Sequence, residues 1–208
     1  MKNRINMIVR KGKVSGIILF YLFAFLPLTA QTAKQVLDKT ASIVAAKSGA
    51  KASFSIKGDQ MNASGTIAIK GRKFQAATPQ ASIWFDGKTQ WTYLKKNDEV
   101  NIATPSVEEQ QAINPYNFIN MYKNGYKYTM EKKNGHFIVH LTASGKKSIS
   151  EMYITINQKS YVPSQVRYKT GKGWIIIDIR NFKAASLADG LFRFNAKDFP
   201  NAEVIDLR

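Results

Sequence analysis

Apolar and polar residues alternate along most of this chain once the first fifty residues are passed. Phe54 and Ile56 alternate with serine and lysine, and Ile177 and Ile179 share one face near the end of the sequence. Because successive side chains of a strand point to opposite faces of a sheet, this period of two predicts strands with one buried face. Residues 191–205 predict one or two short closing strands. The chain is therefore predicted to be mainly β, with a long antiparallel sheet.

Two Asx-Gly dipeptides mark tight turns between these strands. Asp86-Gly87 lies between two aromatic-rich arms, and Asn134-Gly135 lies between two further strands. Asp, Asn and Gly tolerate the positive φ angles that a hairpin turn requires. The first hairpin leaves two registers open. A two-residue turn pairs Phe85 with Lys88, whereas a turn that includes Lys88 pairs Phe85 with Thr89.

A few helices are expected to accompany the sheet. Thr32 and Gln35 have the spacing of a capping box, and an apolar stripe at helical spacing then runs to about residue 46. Ser106 begins a short acidic turn, and Asn114-Pro115 begins a helix that Gly125 ends. A sheet of about ten or eleven strands curls or closes. The helices are too few to cover both of its faces, so they are expected to cover its concave side or its mouth.

The first thirty residues have the order of a secretory signal peptide. A basic leader precedes an apolar run over residues 17–28, and Ala30 is a small residue suited to cleavage. A signal anchor is the alternative, although a run of about a dozen residues broken by Pro27 is short for a span of roughly 20. Cleavage after Ala30 leaves one domain, residues 31–208, and lowers the net charge from +17 to +12. We expect a soluble product in a bacterial periplasm.

No catalytic or metal-binding pattern stands out in the sequence. The chain has no cysteine, which excludes disulfides, thiolate metal sites and cysteine nucleophiles. Its two histidines, His136 and His140, are expected to lie roughly 13 Å apart along one strand, too far to share a metal. No phosphate-binding loop or nucleophile elbow is present. We therefore expect no enzymatic activity, no metal and no cofactor.

The basic surplus favours an anionic partner. Export argues against nucleic acid, and the chain has no aromatic-and-basic RNA-binding signature. Transient attraction to an anionic membrane surface is the interpretation that fits an exported basic protein.

Several motifs occur in an order that points to one family. They are an N-terminal helix, Gly65-Thr66-Ile67-Ala68-Ile69-Lys70 leading into Phe74, the block Phe85-Asp86-Gly87-Lys88-Thr89-Gln90-Trp91-Thr92-Tyr93, and Asn114-Pro115 opening a helix. Asp-Gly-Lys-Thr followed by Trp-x-Tyr is the most specific of them. In this order the chain resembles the LolA family of periplasmic outer-membrane lipoprotein carriers. The resemblance implies an incomplete, unclosed antiparallel β-barrel whose apolar cavity is covered by a helical lid.

The resemblance also implies a function and a set of partners. Such a chaperone binds the acyl chains of lipoproteins and carries them from the inner to the outer membrane without covalent chemistry. Each buried CH₂ is worth about 0.8 kcal/mol, so a multi-chain lipid anchor cannot cross water unprotected. The implied partners are acylated lipoproteins, an inner-membrane lipoprotein-releasing transporter and an outer-membrane acceptor, served by a monomeric carrier.

One segment departs from the family's pattern. The family commonly has Lys-Arg-Pro after the second strand, and its arginine helps to hold the lid shut. Here the segment is Lys70-Gly71-Arg72-Lys73-Phe74, with no proline and a shifted arginine. Arg72 is therefore either a lid contact with a different reach or an ordinary exposed arginine.

The expected lipid site combines aromatic and branched residues of the strands with apolar residues of the helices. The residues expected to line the cavity are Phe54, Ile67, Ile69, Phe74, Trp91, Tyr93, Tyr128, Phe137 and Val139. The residues expected to form the lid are Val36, Leu37, Val44, Phe118, Ile119 and Tyr122. The two hairpin registers differ in whether Trp84 or Phe85 shares the face of Trp91.

Two other functions remain open at this point. One is a related lipid- or glycolipid-binding protein on the same scaffold, such as a sensor of envelope stress. The other is a hydrolase of envelope lipids, which needs a buried acid, base or nucleophile that the sequence does not reveal.

Overall fold

The computed structural model describes residues 31–58, 61–106, 109 and 120–208. These residues form one α-helix, α1 (Ala33–Val44), and twelve strands. The strands are β1 (Ala50–Gly58), β2 (Met61–Lys70), β3 (Lys73–Ala77), β4 (Ala81–Phe85), β5 (Gln90–Leu94), β6 (Glu99–Ala103), β7 (Tyr126–Lys133), β8 (His136–Ala143), β9 (Glu151–Asn157), β10 (Pro163–Thr170), β11 (Gly173–Ala184) and β12 (Glu203–Asp206).

All twelve strands belong to one sheet. Its order is β12-β6-β5-β4-β3-β2-β1-β11-β10-β9-β8-β7. Two antiparallel meanders, β1–β6 and β7–β11, are joined where β1 pairs with β11. The last strand, β12, adds to β6 in the parallel direction. Strands β7 and β12 stand at the two edges and do not pair with each other, so the predicted unclosed, mainly antiparallel β architecture is confirmed, with twelve strands.

Helix α1 begins at the predicted capping box. The Thr32 hydroxyl accepts a hydrogen bond from the Gln35 amide at 3.2 Å, and the Gln35 side chain accepts one from the Thr32 amide at 2.9 Å. These bonds satisfy two of the free N–H groups at the helix start. The helix ends at Val44, slightly before the predicted residue 46. Its buried stripe consists of Val36, Leu37, Thr40, Ala41 and Val44.

The sheet face that packs against α1 is called the inner face here, and the opposite one the outer face. The first half of α1 places Val36 and Leu37 on strands β8–β10, in a solid core that includes Val139 and Ile154. Its second half places Ala41 and Val44 on Ile69, Phe74 and Phe85. Helix α1 thus packs on both meanders of the inner face.

The expected helix from Asn114 lies outside the described residues, as do Phe118 and Ile119. The cap that precedes it is described. The Ser106 amide donates to the Glu109 carboxylate at 2.8 Å, and the Glu109 amide donates to the Ser106 hydroxyl at 3.2 Å. Residues Met121–Lys123 form a 3-10 helix whose Met121 and Tyr122 are buried.

The two Asx-Gly hairpins differ in length. Lys133 pairs with His136, so Asn134-Gly135 forms the predicted two-residue turn, with positive φ at both positions. At the first hairpin Phe85 pairs with Gln90, which is neither of the two expected registers.

The longer turn is held by the side chain of Asp86. Its carboxylate accepts hydrogen bonds from the amides of Lys88 at 3.0 Å and Thr89 at 2.9 Å. An Asx turn of this kind enlarges the loop to four residues. The resulting pairing of Trp84 with Trp91 puts these two rings on the outer face, whereas Ile83 lies on the inner face.

The C-terminal segment, residues 185–202, crosses the outer face of the first meander. It contains two 3-10 helices, Asp189–Phe192 and Ala196–Asp198, before β12. Of the one or two closing strands predicted over residues 191–205, one is present, β12, and residues 191–194 do not form another. Phe199 packs on Trp84 and Tyr93, with ring centroids 5.7 and 4.5 Å apart. This packing buries aromatic surface on the outer face of β4 and β5 that would otherwise be exposed to water.

No helix within the described parts of the chain has the length and hydrophobicity needed to span a membrane.

Candidate binding cavity

A cavity of about 360 Å³ lies on the inner face, between the first meander and strands β10 and β11. This volume falls in the range of small-molecule sites, roughly 300–1,000 Å³. Val44, at the end of α1, borders it. Its large apolar lining residues are Phe54, Ile56, Ile67, Ile69, Phe74, Ile83, Val166, Tyr168, Ile177, Ile179 and Phe182.

Strand register explains why this part of the inner face is hollow. Each large residue on β1 or β2 faces a small one across the pair: Phe54 opposite Gly65, Ile56 opposite Ala63, Ile67 opposite Ala52, and Ile69 opposite Ala50. On β3 and β4, Ala76 and Ala81 add two more short side chains to the wall. Alternating large and small residues leave space that a uniform row of leucines or isoleucines would fill.

The lining offers almost no polar group to a ligand. Thr78 uses its hydroxyl locally, accepting from the Ala81 amide at 3.0 Å. Lys51 borders the cavity through its backbone, because Ala50 and Ala52 on either side of it face inward. Burial raises the pKa of the Tyr168 hydroxyl, so that group stays neutral at physiological pH. The cavity therefore presents hydrocarbon, and it suits a hydrocarbon ligand.

Four of the residues predicted to line the cavity do border it. Phe54, Ile67, Ile69 and Phe74 are all in its wall. The ring of Phe74 also packs against Phe85, with centroids 5.7 Å apart, where the wall meets α1.

Trp91 and Tyr93 do not line the cavity, contrary to the prediction. Both lie on the outer face of β5, opposite Ile102 and Val100 of β6. Together with Trp84, they form an aromatic face that packs against Phe194 and Phe199 of the C-terminal segment.

Tyr128, Phe137 and Val139 face inward but also lie outside the cavity. They pack in the solid core beneath the first half of α1, where Phe137 is 4% exposed and Val139 is fully buried. They were predicted to line the cavity, and the structure places them on the inner face but not in the cavity wall. Leu37 of α1 is fully buried in the same core.

The residues expected to form the lid divide in the same way. Val44 borders the cavity, while Val36 and Leu37 cover the solid core. Tyr122 is buried in that core, and its hydroxyl donates a hydrogen bond to Asp38 of α1. Lys34, 2.7 Å from Asp38, and the Tyr122 hydroxyl together lower the pKa of this carboxyl. The hydrogen bond between Tyr122 and Asp38 joins α1 to the 3-10 helix Met121–Lys123.

Arg72 is exposed and follows Gly71, whose positive φ of 57° makes the tight turn between β2 and β3. Its part in a lid stays a prediction.

Sequence reasoning missed the half of the cavity wall that comes from the second meander. Val166, Ile177, Ile179 and Phe182 line it. The alternation of β11 had placed its isoleucines on one face, yet nothing local showed that this face meets β1. That pairing joins Phe54 to Ile179, far apart in the chain.

Titratable groups of the described residues do not gather at the cavity. The one histidine–carboxylate pair among them, His140 and Glu151 at 2.9 Å, is on the outer face. Within the same parts of the chain, no cluster of three or more His, Cys, Asp or Glu side chains could hold a metal ion.

Comparison with known proteins places this geometry among related folds. A family model described as outer membrane lipoprotein carrier protein LolA matches residues 23–172. An uncharacterized conserved protein from Thermus thermophilus is 13% identical, with a TM-score of 0.59 over 85% of this chain and 99% of that one. This likeness concerns the fold alone. No protein with a curated description matches the chain.

Two further solved structures show weaker likeness. A LolA superfamily protein from Nitrosomonas europaea is 12% identical, with a TM-score of 0.44 over 79% of this chain and 99% of that one. A putative outer membrane lipoprotein-sorting protein domain from Vibrio parahaemolyticus is 10% identical, with a TM-score of 0.41 over 79% of this chain and 94% of that one.

Proposed function

We propose, from the premise that this chain belongs to the family of outer membrane lipoprotein carrier proteins, LolA, that it is a non-catalytic carrier of acylated lipoproteins. Its cavity holds the acyl chains while the protein crosses the periplasm from the inner to the outer membrane. Export through a signal peptide over residues 1–30, cleaved after Ala30, is part of the proposal. So are delivery from a lipoprotein-releasing transporter in the inner membrane and transfer to an acceptor in the outer membrane.

The observation that carries this proposal is the chemistry of the cavity wall. Among the described residues, aliphatic and aromatic side chains line it, and no carboxylate or imidazole does. At about 0.8 kcal/mol for each buried CH₂, a bound acyl chain is strongly favoured over one in water. Thr78 and Tyr168 are the hydroxyl-bearing residues of this lining, and neither has a carboxylate or imidazole beside it in the described wall to act as a base, which favours binding over hydrolysis.

The same wall favours a second candidate, a carrier of free lipid or glycolipid. Hydrocarbon surfaces do not distinguish one acyl chain from another, so specificity for lipoproteins has to come from groups outside the cavity. Mass analysis of the native ligand separates the two candidates. An acylated polypeptide supports the lipoprotein carrier, and a free lipid supports the alternative.

The functional test fills the cavity with a side chain. Ala63 and Ser64 are neighbours on β2 whose side chains point to the inner and outer face, respectively. Ala63→Phe projects a ring into the cavity, and Ser64→Phe places the same ring on the opposite side. We expect Ala63→Phe to reduce release of lipoproteins from inner-membrane vesicles at least severalfold, while Ser64→Phe releases them normally.

Two outcomes bear on the interpretation of that test. Normal release by a folded Ala63→Phe protein contradicts the assignment of the cavity. If Ala63→Phe does not fold, Ala76→Phe fills the same cavity from β3 and makes the same comparison.

A further inference from the structure

Planar side chains cluster on the outer face of β8–β11, and we call His140, Tyr153, Arg167 and Trp174 the outer-face platform. His140 and Tyr153 are register partners whose rings stack, with centroids 4.2 Å apart and planes inclined by 1°. The Arg167 guanidinium lies over two rings, 4.6 Å from the centre of Tyr153 and 4.8 Å from that of Trp174. The platform spans four strands, on the side of the sheet away from the cavity.

Arg167 is held in place by two rings and by the Tyr153 hydroxyl, while the residue stays exposed to solvent. The residue is exposed, and the two rings fix it by cation–π attraction. Among the described residues, no carboxylate lies within salt-bridge distance of it. An arginine immobilised in this way loses less conformational freedom when its N–H groups bind a phosphate or carboxylate.

The acidic groups nearest the platform are already bonded. Glu151 accepts hydrogen bonds from the Tyr153 hydroxyl and His140, each at 2.9 Å. Asp178 accepts from Gln165 at 2.8 Å and from Ser55 at 3.5 Å. Cationic side chains outnumber these carboxylates on the outer face, and Arg167 and Lys169 are both exposed to solvent.

Several further cations share the outer face with Arg167. The Lys169 ammonium lies 5.9 Å from the centre of the Trp174 ring, and Lys57 is exposed in the row of Arg167, beyond Ile176. Strand alternation adds Lys127, Lys133 and Arg180 to this face, against Glu131, Glu151 and Asp178. The face is therefore net positive.

We propose that the outer-face platform docks on the anionic phospholipid head groups of a membrane, with Arg167 binding lipid phosphate. Cations spread over a sheet face fit a continuous anionic surface better than a single carboxylate. Tyr and Trp are amphipathic rings that favour the boundary between water and lipid. A second copy of this chain would bring like charges together, which argues against self-association.

This inference rests on the proposed function in one respect: a carrier of acylated cargo has to approach membranes. It assigns the approach to a surface separate from the cavity. Membrane docking and ligand binding can therefore be measured independently.

The test is co-sedimentation of the purified protein with vesicles. Vesicles of phosphatidylglycerol and phosphatidylcholine are compared with vesicles of phosphatidylcholine alone. The test variant is Arg167→Gln/Lys169→Gln, and the control is Lys88→Gln/Lys96→Gln, which removes two exposed charges from loops of the first meander. Each cation at the membrane surface is worth about fivefold in binding. We expect the platform variant to bind the anionic vesicles more than tenfold more weakly, and the control variant to lose much less.

Tryptophan quenching by brominated lipids provides a second readout. Trp84 is packed against Phe194 and Phe199, whereas Trp174 belongs to the platform. We expect quenching of the wild-type protein on anionic vesicles, and loss of most of it in Trp174→Phe.

Three outcomes overturn the proposal. They are equal losses in the platform and control variants, undiminished binding by the platform variant, and binding of an acidic protein but not of anionic vesicles. Native ligand content is measured in the same variants. If wild-type protein binds no acyl ligand but docks on vesicles through the platform, the proposed function fails and this inference stands.

Discussion

Phe54 faces Gly65 across β1 and β2, and this pair shows how one residue opens the cavity. A Cβ built on Gly65 lies 2.0 Å from the backbone oxygen of Ala77 and 3.2 Å from the tip of the Phe54 ring. The glycine is thus required by the close approach of β3 as well as by the ring beside it. Backbone oxygen cannot move aside as a flexible side chain can.

We expect Gly65→Ala to lower the free energy of unfolding by about 1–3 kcal/mol, the usual cost of overpacking. The melting temperature should fall by about 2–4 °C for each kcal/mol in a domain of this size. Gly171→Ala is the control, because a Cβ at Gly171 has no neighbour within 4 Å. Equal stability of the two variants in urea denaturation would show that β3 moves away at little cost.

Asp189 gives the C-terminal segment a pH-dependent attachment. Its carboxylate lies 2.9 Å from the Lys70 ammonium and 3.3 Å from that of Lys73. Hydrogen bonds from these two lysines lower the pKa of Asp189. A lowered pKa in the folded protein means that the stabilisation is present at neutral pH and disappears as the pH falls through that pKa.

Asp189→Asn should therefore lower stability near neutral pH, while at a pH of about 2 the variant and the wild type should be equally stable. The effect is small because the carboxylate is solvent-exposed and screened. Thermal melts across this pH range measure it, with Asp198→Asn as a control on another exposed aspartate of the same segment. A difference that does not change with pH would contradict the role given to the charge.

At the scale of secondary structure, two local signals were predicted correctly, whereas the register at Asp86-Gly87 and the distant pairings were not. The capping box of Thr32 and Gln35 and the turn at Asn134-Gly135 depend on residues a few positions apart, and both formed as predicted. The aromatic face of Trp84 and Tyr93 is buried by Phe199, which is distant in sequence. Aromatic residues gathered on one strand face indicate burial, but they do not show which layer buries them.

The C-terminal segment is an element that stabilises the sheet and takes no part in the cavity. Phe192 is fully buried on the outer face with Ala68 and Leu187. The Lys70 ammonium also donates a hydrogen bond to the Leu187 carbonyl at 2.8 Å, which fastens the same region. This segment supplies the second layer that the outer face of the first meander needs.

We expect Phe192→Ala to lower the free energy of unfolding by about 3–5 kcal/mol, as loss of a buried aromatic ring does. The folded variant should still bind its acyl ligand, because the ring lies on the other side of the sheet. Val204→Ala, at a side chain that is 50% exposed, should change stability by less than about 0.5 kcal/mol. Loss of ligand from folded Phe192→Ala protein would show that the two faces are coupled.

For the whole molecule, the important division is between the two halves of the inner face. Strands β8 and β9, with part of β10, are filled by residues of α1, whereas the wall made mostly by β1–β4 and β11 remains hollow. Alternation alone could place Phe137 and Phe54 on the inner face, and it did. It could not show that α1 packs over Phe137 and leaves the space beside Phe54 open, because that depends on where the helix crosses the sheet.

The central claim is that the hollow half holds acyl chains, and native mass spectrometry of the protein purified from a bacterial envelope tests it most directly. We predict a bound species in the wild-type protein that dissociates as an acylated polypeptide, and that is lost in Ala63→Phe but kept in Ser64→Phe. Wild-type protein that carries no acyl-containing ligand, or a ligand equally abundant in folded Ala63→Phe, would contradict the account.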